Sequence, residues 1–507
     1  MTDIEARIQA LSGHNYINGT YRLSSGSHAD IIDPATESVI GSYAHSTEQE
    51  VDQAIACANA AQKIWWSMSA LERTELLHGV ARKMVAMAGQ VGETLTREMG
   101  KTFRESHWEA GAGASALSYY AELARHDNGR IAGPAIAGQL HMTMKEPLGV
   151  VVSIVPFNYP ILLFAWQAAA SLAAGNAIIV KPSELTSMSL LVLMDAFADL
   201  PAGLVQVICG GGAVGKQLVE HRDTHAVAFT GSVPSAQAVA KSAAERFKPV
   251  LIEASGNDPF IVMPSVPVPL AAKGAAFAAF LNCGQVCTSG ERFYVHAAIY
   301  DEFVAALAKE ADARRIGNGL DHVDMGPMAS RRERDRFEKM IARAVEQGAK
   351  VVTGGKRPGH LKHGWFYEPT VLEVTHQMDI MHAESFGPVA PVCKVNSLDE
   401  AIACANDSTV GLGANIFTHN LGEAMRAVKE IESGIVWVNT PLNDNDAVPF
   451  GGRKMTGKGR ELGAEGLDQF RSSKMVMISP ELLLDPEWLP CPPEETFACF
   501  SEQNSKR

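Results

Sequence analysis

The chain has 507 residues, of which 46% are hydrophobic and 20% are charged, and its formal net charge is −13 at pH 7. This length predicts two or three domains, and the composition is that of an ordinary globular enzyme. The acidic balance argues against nucleic acid or an anionic membrane as the main partner, because both attract basic surfaces.

No run of about 18 apolar residues predicts a membrane-spanning helix, and the N-terminus lacks the basic and then apolar pattern of a signal peptide. The eight cysteines are sparse and irregularly spaced. This favours free thiols in a reducing cytoplasm over a disulfide framework. Cys283 and Cys287 could form half of a metal site, but no second pair and no nearby histidine accompany them. We therefore expect no metal.

The first part of the chain is predicted to be mainly helical. A Thr-x-x-Glu capping box opens a predicted helix over 47–61. Helical periodicity continues over 70–98, and an alanine-rich stretch over 111–124 is also predicted to be helical. Residues 126–147 break this pattern and contain a short alternating run, which predicts an exposed strand that projects from the body.

From about residue 149 the predicted strands alternate with helices. This rhythm predicts a doubly wound α/β unit, in which ligands lie at the carboxyl ends of the strands. A polar or glycine-rich segment follows most of the predicted strands, which are 149–155, 177–180, 204–209, 225–229 and 249–253. A second α/β pattern runs from 260 to 395.

Two of the turns after these strands could bind a dinucleotide. Gly210–Gly215 satisfies the G-x-G-x-x-G pattern, but no acidic residue ends a strand about 20 residues further on. Phe229-Thr230-Gly231-Ser232 is the better candidate, because it opens a helix whose first amides could meet a phosphate. Lys181 and Glu184 carry groups that can hydrogen-bond ribose hydroxyls, although an exposed charged turn explains them equally well.

The candidate catalytic groups also follow apolar segments. Cys287 lies in a polar, glycine-containing stretch, whereas structural cysteines usually lie among apolar residues. Glu253 ends an apolar run, and a thiol nucleophile with a carboxylate base indicates covalent catalysis. Asn158 can donate a hydrogen bond to a developing oxyanion. Taken singly, these residues are equally well explained as a core cysteine, a surface carboxylate and a turn asparagine.

Together, these motifs resemble those of the aldehyde dehydrogenase superfamily, from about residue 15 to about 478. The resemblance rests on Glu253, Cys287, Pro156-Phe157-Asn158-Tyr159-Pro160, Lys181-Pro182-Ser183-Glu184, Phe229–Ser232, Asn282 with Gly284-Gln285, Glu384-Ser385-Phe386-Gly387-Pro388, Pro449–Gly452 and Gly457–Glu461. It implies an α/β, aldehyde dehydrogenase-like fold. That fold has a doubly wound cofactor-binding domain, an α/β catalytic domain and a projecting β arm for oligomerisation.

The resemblance also implies the domain boundaries. The dinucleotide-binding domain takes 1–125, 148–255 and the returning segment 456–470, and the catalytic domain takes 256–455. The oligomerisation strands are 126–147 and 471–480, and a C-terminal tail takes 481–507. The arm implies a homodimer or homotetramer, because an exposed strand edge is a liability unless it is paired.

The implied reaction is the NAD(P)-dependent oxidation of an aldehyde to the carboxylic acid. Cys287 forms a thiohemiacetal and then a thioester, Asn158 holds the oxyanion, and Glu253 activates water and relays a proton toward Glu461. Glu184 favours NAD, because it would repel the 2′-phosphate of NADP, although NADP stays possible. The cofactor residues are expected to be Lys181, Ser183, Glu184, Phe229, Gly231, Ser232, Glu384, Phe386 and Phe157. The substrate residues are expected to be Tyr159, Leu162, Trp166, Leu281, Val286, Thr288 and Leu442.

Some positions depart from the common family pattern. Ser255 stands where glycine is usual, and its side chain is expected to restrict Glu253 or the nicotinamide. Gln167 stands where many members carry a lysine. The segment 443–446 adds an acidic rim that suits a hydroxylated or amino-bearing aldehyde. The alternative function is that of a CoA-acylating dehydrogenase, against which Glu253 argues, because those relatives generally lack this base.

Overall fold

The computed structural model describes residues 2–126, 128–482 and 488. The chain divides into two compact units, a larger one of 1–127 with 147–472 and a smaller one of 128–146 with 473–507. The predicted C-terminal tail over 481–507 lies almost entirely outside the described residues.

The chain up to residue 254 alternates between helices and strands. Its helices are α1 (Asp3–Leu11), α2 (Glu48–Ser67), α3 (Ala70–Ala86), α4 (Ala88–Met99), α5 (Phe103–His126), α6 (Pro160–Ala173), α7 (Ser187–Leu193), α8 (Gly212–Glu220) and α9 (Val233–Ala244). Its strands are β1 (His14–Ile17), β2 (Thr20–Leu23), β3 (His28–Ile32), β4 (Val39–Ala44), β5 (Ile131–Ala132), β6 (Leu140–Pro147), β7 (Val150–Ile154), β8 (Ala177–Lys181), β9 (Val205–Val207), β10 (Ala226–Gly231) and β11 (Val250–Ala254). The predicted capping box of Thr47 and Glu50 is present at the start of α2.

The rest of the chain continues the alternation. Its helices are α10 (Val268–Phe280), α11 (Tyr300–Asp312), α12 (Arg331–Glu346), α13 (Leu398–Asn406), α14 (Leu421–Glu430) and α15 (Gly463–Asp468). Its strands are β12 (Asp258–Val262), β13 (Gly290–His296), β14 (Lys350–Thr353), β15 (Thr370–Val374), β16 (Val389–Val395), β17 (Val410–Gly411), β18 (Asn415–Phe417), β19 (Trp437–Val438), β20 (Arg453–Lys454), β21 (Gly457–Lys458) and β22 (Arg471–Ile478). Short 3₁₀ turns lie at Met194–Phe197, Leu281–Gly284, Ala297–Ile299 and Asp379–Met381.

The first large sheet has the strand order β2-β1-β9-β8-β7-β10-β11-β21. Its middle strands, from β9 to β11, are parallel, and the edge strands are antiparallel. β7 and β8 are buried along their whole length, as expected for parallel strands that are covered on both faces. Ile154 pairs with Lys181 and Thr230 pairs with Glu253, so the polar groups after these strands meet at one edge. The predicted doubly wound unit is thus confirmed.

The second large sheet has the order β14-β15-β16-β13-β12-β18-β19, and it is parallel except at β14. Three aromatic rings fix its centre, with centroids 5.2 Å apart for Phe260 and Phe293 and 4.8 Å apart for Phe260 and Phe417. Burying each of these side chains contributes about 1.5–3 kcal/mol. α10 packs on this sheet, so the turn that follows α10 starts from a well-fixed position.

The smaller unit contains a three-stranded sheet in the order β22-β6-β5. β6 corresponds to the strand that the alternating run predicted, and it pairs antiparallel with β5. Lys474 of β22 forms an ion pair with Glu146 of β6. The domain boundaries given above stay predictions. Within the described part of the chain, no helix is both long enough and apolar enough to cross a membrane.

Candidate active site

The turn before Cys287 has an unusual backbone. Asn282, Cys283 and Gly284 all have positive φ angles, of 49°, 58° and 70°. Such angles are costly for residues other than glycine, so the surrounding contacts must hold the turn in place. The Asn282 amide donates to Gln285 O at 3.1 Å, and the Gln285 amide donates to Asn282 O at 3.1 Å. The turn presents the partly exposed Cys287 to a cavity of about 460 Å³.

Two glycines let other segments approach this turn closely. A Cβ atom at Gly284, where φ is +70°, would overlap the carbonyl oxygen of Gly387. A Cβ atom at Gly256 would overlap the carbonyl oxygen of Cys287 itself. Both positions therefore require glycine, and together they place the Cys287 turn between the end of β11 and the segment before β16.

Asn158 lies in the turn between β7 and α6, and it lines the same cavity as Cys287. Its side-chain amide donates to Gln285 O at 3.1 Å, which leaves its second N–H available. Its carbonyl oxygen accepts hydrogen bonds from Lys101 Nζ at 2.5 Å and from the Asn282 amide at 3.3 Å. Asn158 is thus tied by hydrogen bonds to the turn that carries the thiol.

Lys101 is a fully buried cation that the sequence analysis did not identify. Its ammonium donates to Glu109 Oε2 at 2.6 Å, and it lies 3.7 Å from the ring centroid of Tyr159. The other Glu109 oxygen accepts from the first amides of α6, Ile161 N at 2.8 Å and Leu162 N at 3.1 Å. A single ion pair therefore supports both the Asn158 turn and the helix that follows it.

Glu105 provides a second support for the thiol turn, and the sequence analysis missed it as well. One carboxylate oxygen accepts from Thr102 N at 2.9 Å and so caps α5. The other oxygen accepts from Asn282 N at 3.0 Å, across 177 residues of sequence. This hydrogen bond helps to hold Asn282 in its left-handed conformation.

Glu253 lies at the end of β11 and lines the Cys287 cavity. It is 3% exposed, and neither of its oxygens has a hydrogen-bond partner of ordinary geometry among the described residues. Burial and the nearby Glu461 carboxylate raise the pKa of Glu253 well above its usual value. Burial also raises the pKa of Glu461, to about 7, while Gln167 donates to Glu461 Oε1 at 2.9 Å. The predicted relay pair is therefore brought together.

The environment of the Cys287 thiol disfavours its charged form. Burial raises the pKa of Cys287 well above its usual value, and the carboxylates of Glu253 and Asp258 raise it further. Only the thiolate is an effective nucleophile, so a positive charge would have to enter this cavity to activate the sulfur. Cys283 is buried in the hydrophobic core around the second large sheet, where burial raises its pKa to above the range of reactive thiols.

All nine predicted cofactor residues line one of two adjoining cavities. The first is the Cys287 cavity, which includes Phe157, Gly231, Ser232, Glu384 and Phe386 in its walls. The second has a volume of about 670 Å³ and is lined by Lys181, Ser183, Glu184 and Phe229. Both cavities share Phe157 and the Thr230–Ser232 turn, so they form one cleft along the carboxyl ends of the strands. Gly212 and Gly215 of the G-x-G-x-x-G segment also line the second cavity.

The far end of this cleft is polar. The Lys181 ammonium donates to Gly210 O at 2.7 Å and to Pro182 O at 2.8 Å, and it lies 3.7 Å from Glu184 Oε2. Burial lowers the pKa of Lys181, and Glu184 opposes this shift. α9 begins after Ser232 without a side-chain cap, and Ser232 and Ser235 both line the second cavity. A ribose and a phosphate fit these donors and acceptors.

Two charged residues that the sequence analysis missed hold the segment of Glu384 and Phe386. Glu291 accepts from Ser385 N at 3.0 Å and from Phe386 N at 2.8 Å. Arg336 of α12 donates to Ser385 O at 2.7 Å. Glu384 in turn accepts from Gly256 N at 3.1 Å, so the segment is joined to the residues that follow Glu253.

The predicted substrate residues are less clearly assembled. Tyr159, Leu162, Trp166 and Val286 are buried in the first hydrophobic core, with Leu281 packed against it. Thr288 is buried, and Leu442 is half-buried with a φ of +55°. Trp166 contacts Phe450, with ring centroids 5.0 Å apart. None of the seven lines the cavity that contains Cys287, and their role in substrate binding stays a prediction.

The comparison with known proteins agrees with this geometry. The model of the aldehyde dehydrogenase family matches residues 21–476. The chain belongs to the aldehyde dehydrogenase family. It is 35% identical to aminoaldehyde dehydrogenase 2 of Pisum sativum over 91% of this chain and 94% of the relative.

Solved structures show the same fold as this aldehyde dehydrogenase. A structure of 3,6-anhydro-L-galactose dehydrogenase in complex with NAP (NADP) has a TM-score of 0.89 and 36% identity, covering 92% of this chain and all of that one. A structure of betaine aldehyde dehydrogenase from Staphylococcus aureus with NAD⁺ has a TM-score of 0.93 and 32% identity, covering 96% and 99%. This chain is thus an NAD(P)-dependent oxidoreductase that acts on aldehydes, and these relatives give no support to a CoA-acylating activity.

Replacing Lys101 tests the support beneath Asn158. Lys101→Met leaves the buried Glu109 carboxylate without its counter-charge and removes the shorter of the two hydrogen bonds to the Asn158 carbonyl. Breaking a buried ion pair costs about 3–5 kcal/mol of folding stability. We expect a lower Tm and a kcat reduced more than tenfold, with the dissociation constant for NAD⁺ nearly unchanged. Calorimetry, steady-state kinetics and cofactor titration would measure these three quantities.

Two further variants separate positioning from folding. Lys101→Met with Glu109→Gln removes both charges, so it should recover Tm while kcat stays low. Lys83→Met removes a surface lysine that is paired with Asp199, and it should change neither quantity. A folded Lys101→Met protein with a normal kcat would contradict the positioning role.

Proposed function

We propose that Cys287, Asn158 and Glu253 carry the oxidation of the aldehyde, and the single observation behind this is that all three line one cavity. The Cys287 sulfur adds to the aldehyde carbon. The free N–H of the Asn158 amide and the main-chain N–H of Cys287 then hold the oxyanion of the thiohemiacetal. Because Asn158 is tied to the thiol turn through Gln285, the two groups keep their relative position during the reaction.

The cleft residues hold the dinucleotide beside the thiol. When bound, the oxidised nicotinamide supplies a hydride acceptor and a positive charge. The cleft itself contributes Phe157, Glu384 and Phe386 toward the nicotinamide half, and Lys181, Ser183, Glu184, Phe229, Gly231 and Ser232 toward the adenosine half. Glu184 favours NAD over NADP, because its carboxylate would repel a 2′-phosphate.

Glu253 serves as the base that releases the acid. Its oxygens have no partner of ordinary geometry among the described residues, so they are free to accept a proton from water that attacks the Cys287 thioester. That attack forms the carboxylic acid and releases the Cys287 sulfur as the thiolate. The proton then passes from Glu253 to Glu461, whose carboxyl group is held by Gln167.

Two variants test these roles. Cys287→Ala should eliminate NADH formation from every aldehyde, because no thiohemiacetal forms; retained turnover would overturn the assignment. Glu253→Gln should permit a burst of one NADH per site and then slow turnover, because the thioester accumulates. Stopped-flow absorbance of NADH measures both. The same assay with added CoA checks the alternative, since CoA-dependent product formation would favour the acylating reaction.

We further propose that the physiological aldehyde carries an amino group. Burial is the main cause of the raised pKa of Cys287, Glu253 and Tyr159, and the negative charge of Asp444 adds to each of these shifts. Asp446 instead binds Ser115 and thereby holds the loop. The surrounding protein and Asp446 raise the pKa of Asp444 to about 6, although the residue keeps an exposed face. The similarity to an aminoaldehyde dehydrogenase of Pisum sativum is consistent with such a substrate.

Asp444→Asn tests this preference with 3-aminopropanal and propanal as matched substrates. Loss of a charged hydrogen bond should raise KM for the amino aldehyde about tenfold and leave propanal nearly unchanged. Because the carboxylate becomes protonated as the pH falls through about 6, the wild-type preference for the amine should also decline there. Equal effects on both aldehydes would contradict the proposal.

We also infer a homodimer or homotetramer in the cytoplasm. Apolar side chains on the smaller unit support the assembly, because Ile131 and Met475 are 76% and 72% exposed and would be covered by a partner. The free cysteines among the described residues fit a reducing compartment. Light scattering should give a mass of two or four chains, and a monomer would contradict the inference.

A further inference from the structure

Two histidines and an aspartate from separate segments meet on the surface of the catalytic region. His376 follows β15, His382 follows the 3₁₀ turn Asp379–Met381, and Asp407 follows α13. The side-chain atoms that could bind a metal lie within 4.8 Å of one another. His376 Nε2 is 3.0 Å from Asp407 Oδ2, and the two imidazole centroids are 5.0 Å apart.

A buried tyrosine orients the ring of His376. Tyr294 Oη lies 3.1 Å from His376 Nδ1 and 3.3 Å from Cys404 O, and it accepts from Arg292 Nη1 at 3.3 Å. These contacts leave His376 Nε2 directed at the Asp407 carboxylate, 3.0 Å away. A metal ion that binds here would replace the proton shared by this pair.

We propose that His376, His382 and Asp407 form a binding site for a divalent transition-metal ion such as Zn²⁺ or Ni²⁺. Two imidazole nitrogens and one carboxylate oxygen suit these ions, whereas Mg²⁺ and Ca²⁺ prefer oxygen ligands throughout. The hydrogen bond between His376 Nδ1 and Tyr294 Oη is the kind of outer contact that orients a metal-binding histidine. His382 and Asp407 are exposed, so water completes the coordination of the ion.

The ion would cross-link segments that also reach the cofactor cleft. His382 stands two residues before Glu384, and the preceding Met381 carbonyl accepts from the Asn257 amide at 3.3 Å. Arg292 donates to Asn257 O at 2.8 Å and to Ala405 O, near Asp407, at 2.9 Å. A bound ion therefore stabilises the base of the Glu384–Phe386 segment without touching Cys287.

Titration calorimetry of the untagged, full-length enzyme with Ni²⁺ tests the site. Wild-type protein should bind one Ni²⁺ per chain at this site, and the ion should raise Tm, because it binds only the folded state. His382→Ala and Asp407→Asn should each remove that binding event and the rise in Tm. Tyr294→Phe, which removes the outer contact but no ligand, should weaken Ni²⁺ binding about tenfold.

His419→Ala is the matched control. His419 is an exposed histidine that follows β18, four strands from β15 in the same sheet, roughly 19 Å away at ordinary strand spacing. The His419→Ala variant should bind Ni²⁺ as the wild type does. Because His382 is exposed, its substitution is expected to leave the fold intact and so remains informative if His376→Ala does not fold. Wild-type protein that binds no Ni²⁺, or equal binding by wild type and His382→Ala, would overturn the proposal.

Discussion

The geometry of the proposed reacting groups depends on the contacts of the buried Lys101 ammonium. The ammonium joins Glu109 of α5 to the carbonyl oxygen of Asn158, and Asn158 is in turn hydrogen-bonded to the Cys287 turn through Gln285. Burying a lone cation is costly, so Lys101 is stable there only while its partners stay in place. The ion pair therefore couples the packing of α5 and α6 to the position of the amide that is proposed to hold the oxyanion.

The left-handed Cys287 turn adds to this constraint. Positive φ angles at Asn282 and Cys283 cost free energy, which the hydrogen bonds that Asn282 donates to Glu105 and to Gln285 O offset. Ser255 shows a related strain. Its φ of +27° lies in a region that favours glycine, so the serine at this position carries backbone strain. The Ser255 carbonyl is held by Thr456 Oγ1 at 3.0 Å.

Most of the fold, and the strand ends at which the proposed reacting groups lie, could be predicted from local patterns. Apolar runs that end in polar residues predicted the parallel strands, and the register of those strands explains why Lys181, Thr230 and Glu253 meet at one edge. Lys101, Glu109 and Glu291 could not be found this way, because their partners lie far away in sequence and appear only after folding. Glu105 could not be identified for a different reason. The Thr102-x-x-Glu105 pattern is fully explained as a capping box, like that of Thr47 and Glu50, and gives no sign of a second role.

The pair of carboxyl groups at Glu253 and Glu461 shows what the departure at Gln167 changes. A lysine at 167 would place a cation beside Glu461 and lower the pKa of both carboxyl groups. Gln167 is neutral, yet it still donates to Glu461 Oε1 and is itself held by Ser153 at 2.6 Å. Gln167 thus holds Glu461 in place but, unlike a lysine, does not neutralise its negative charge. Two acidic groups in one buried site cannot both ionise cheaply, so one proton is shared between them near neutral pH. A shared proton gives the proposed relay between Glu253 and Glu461 both a proton donor and a proton acceptor, without a lysine.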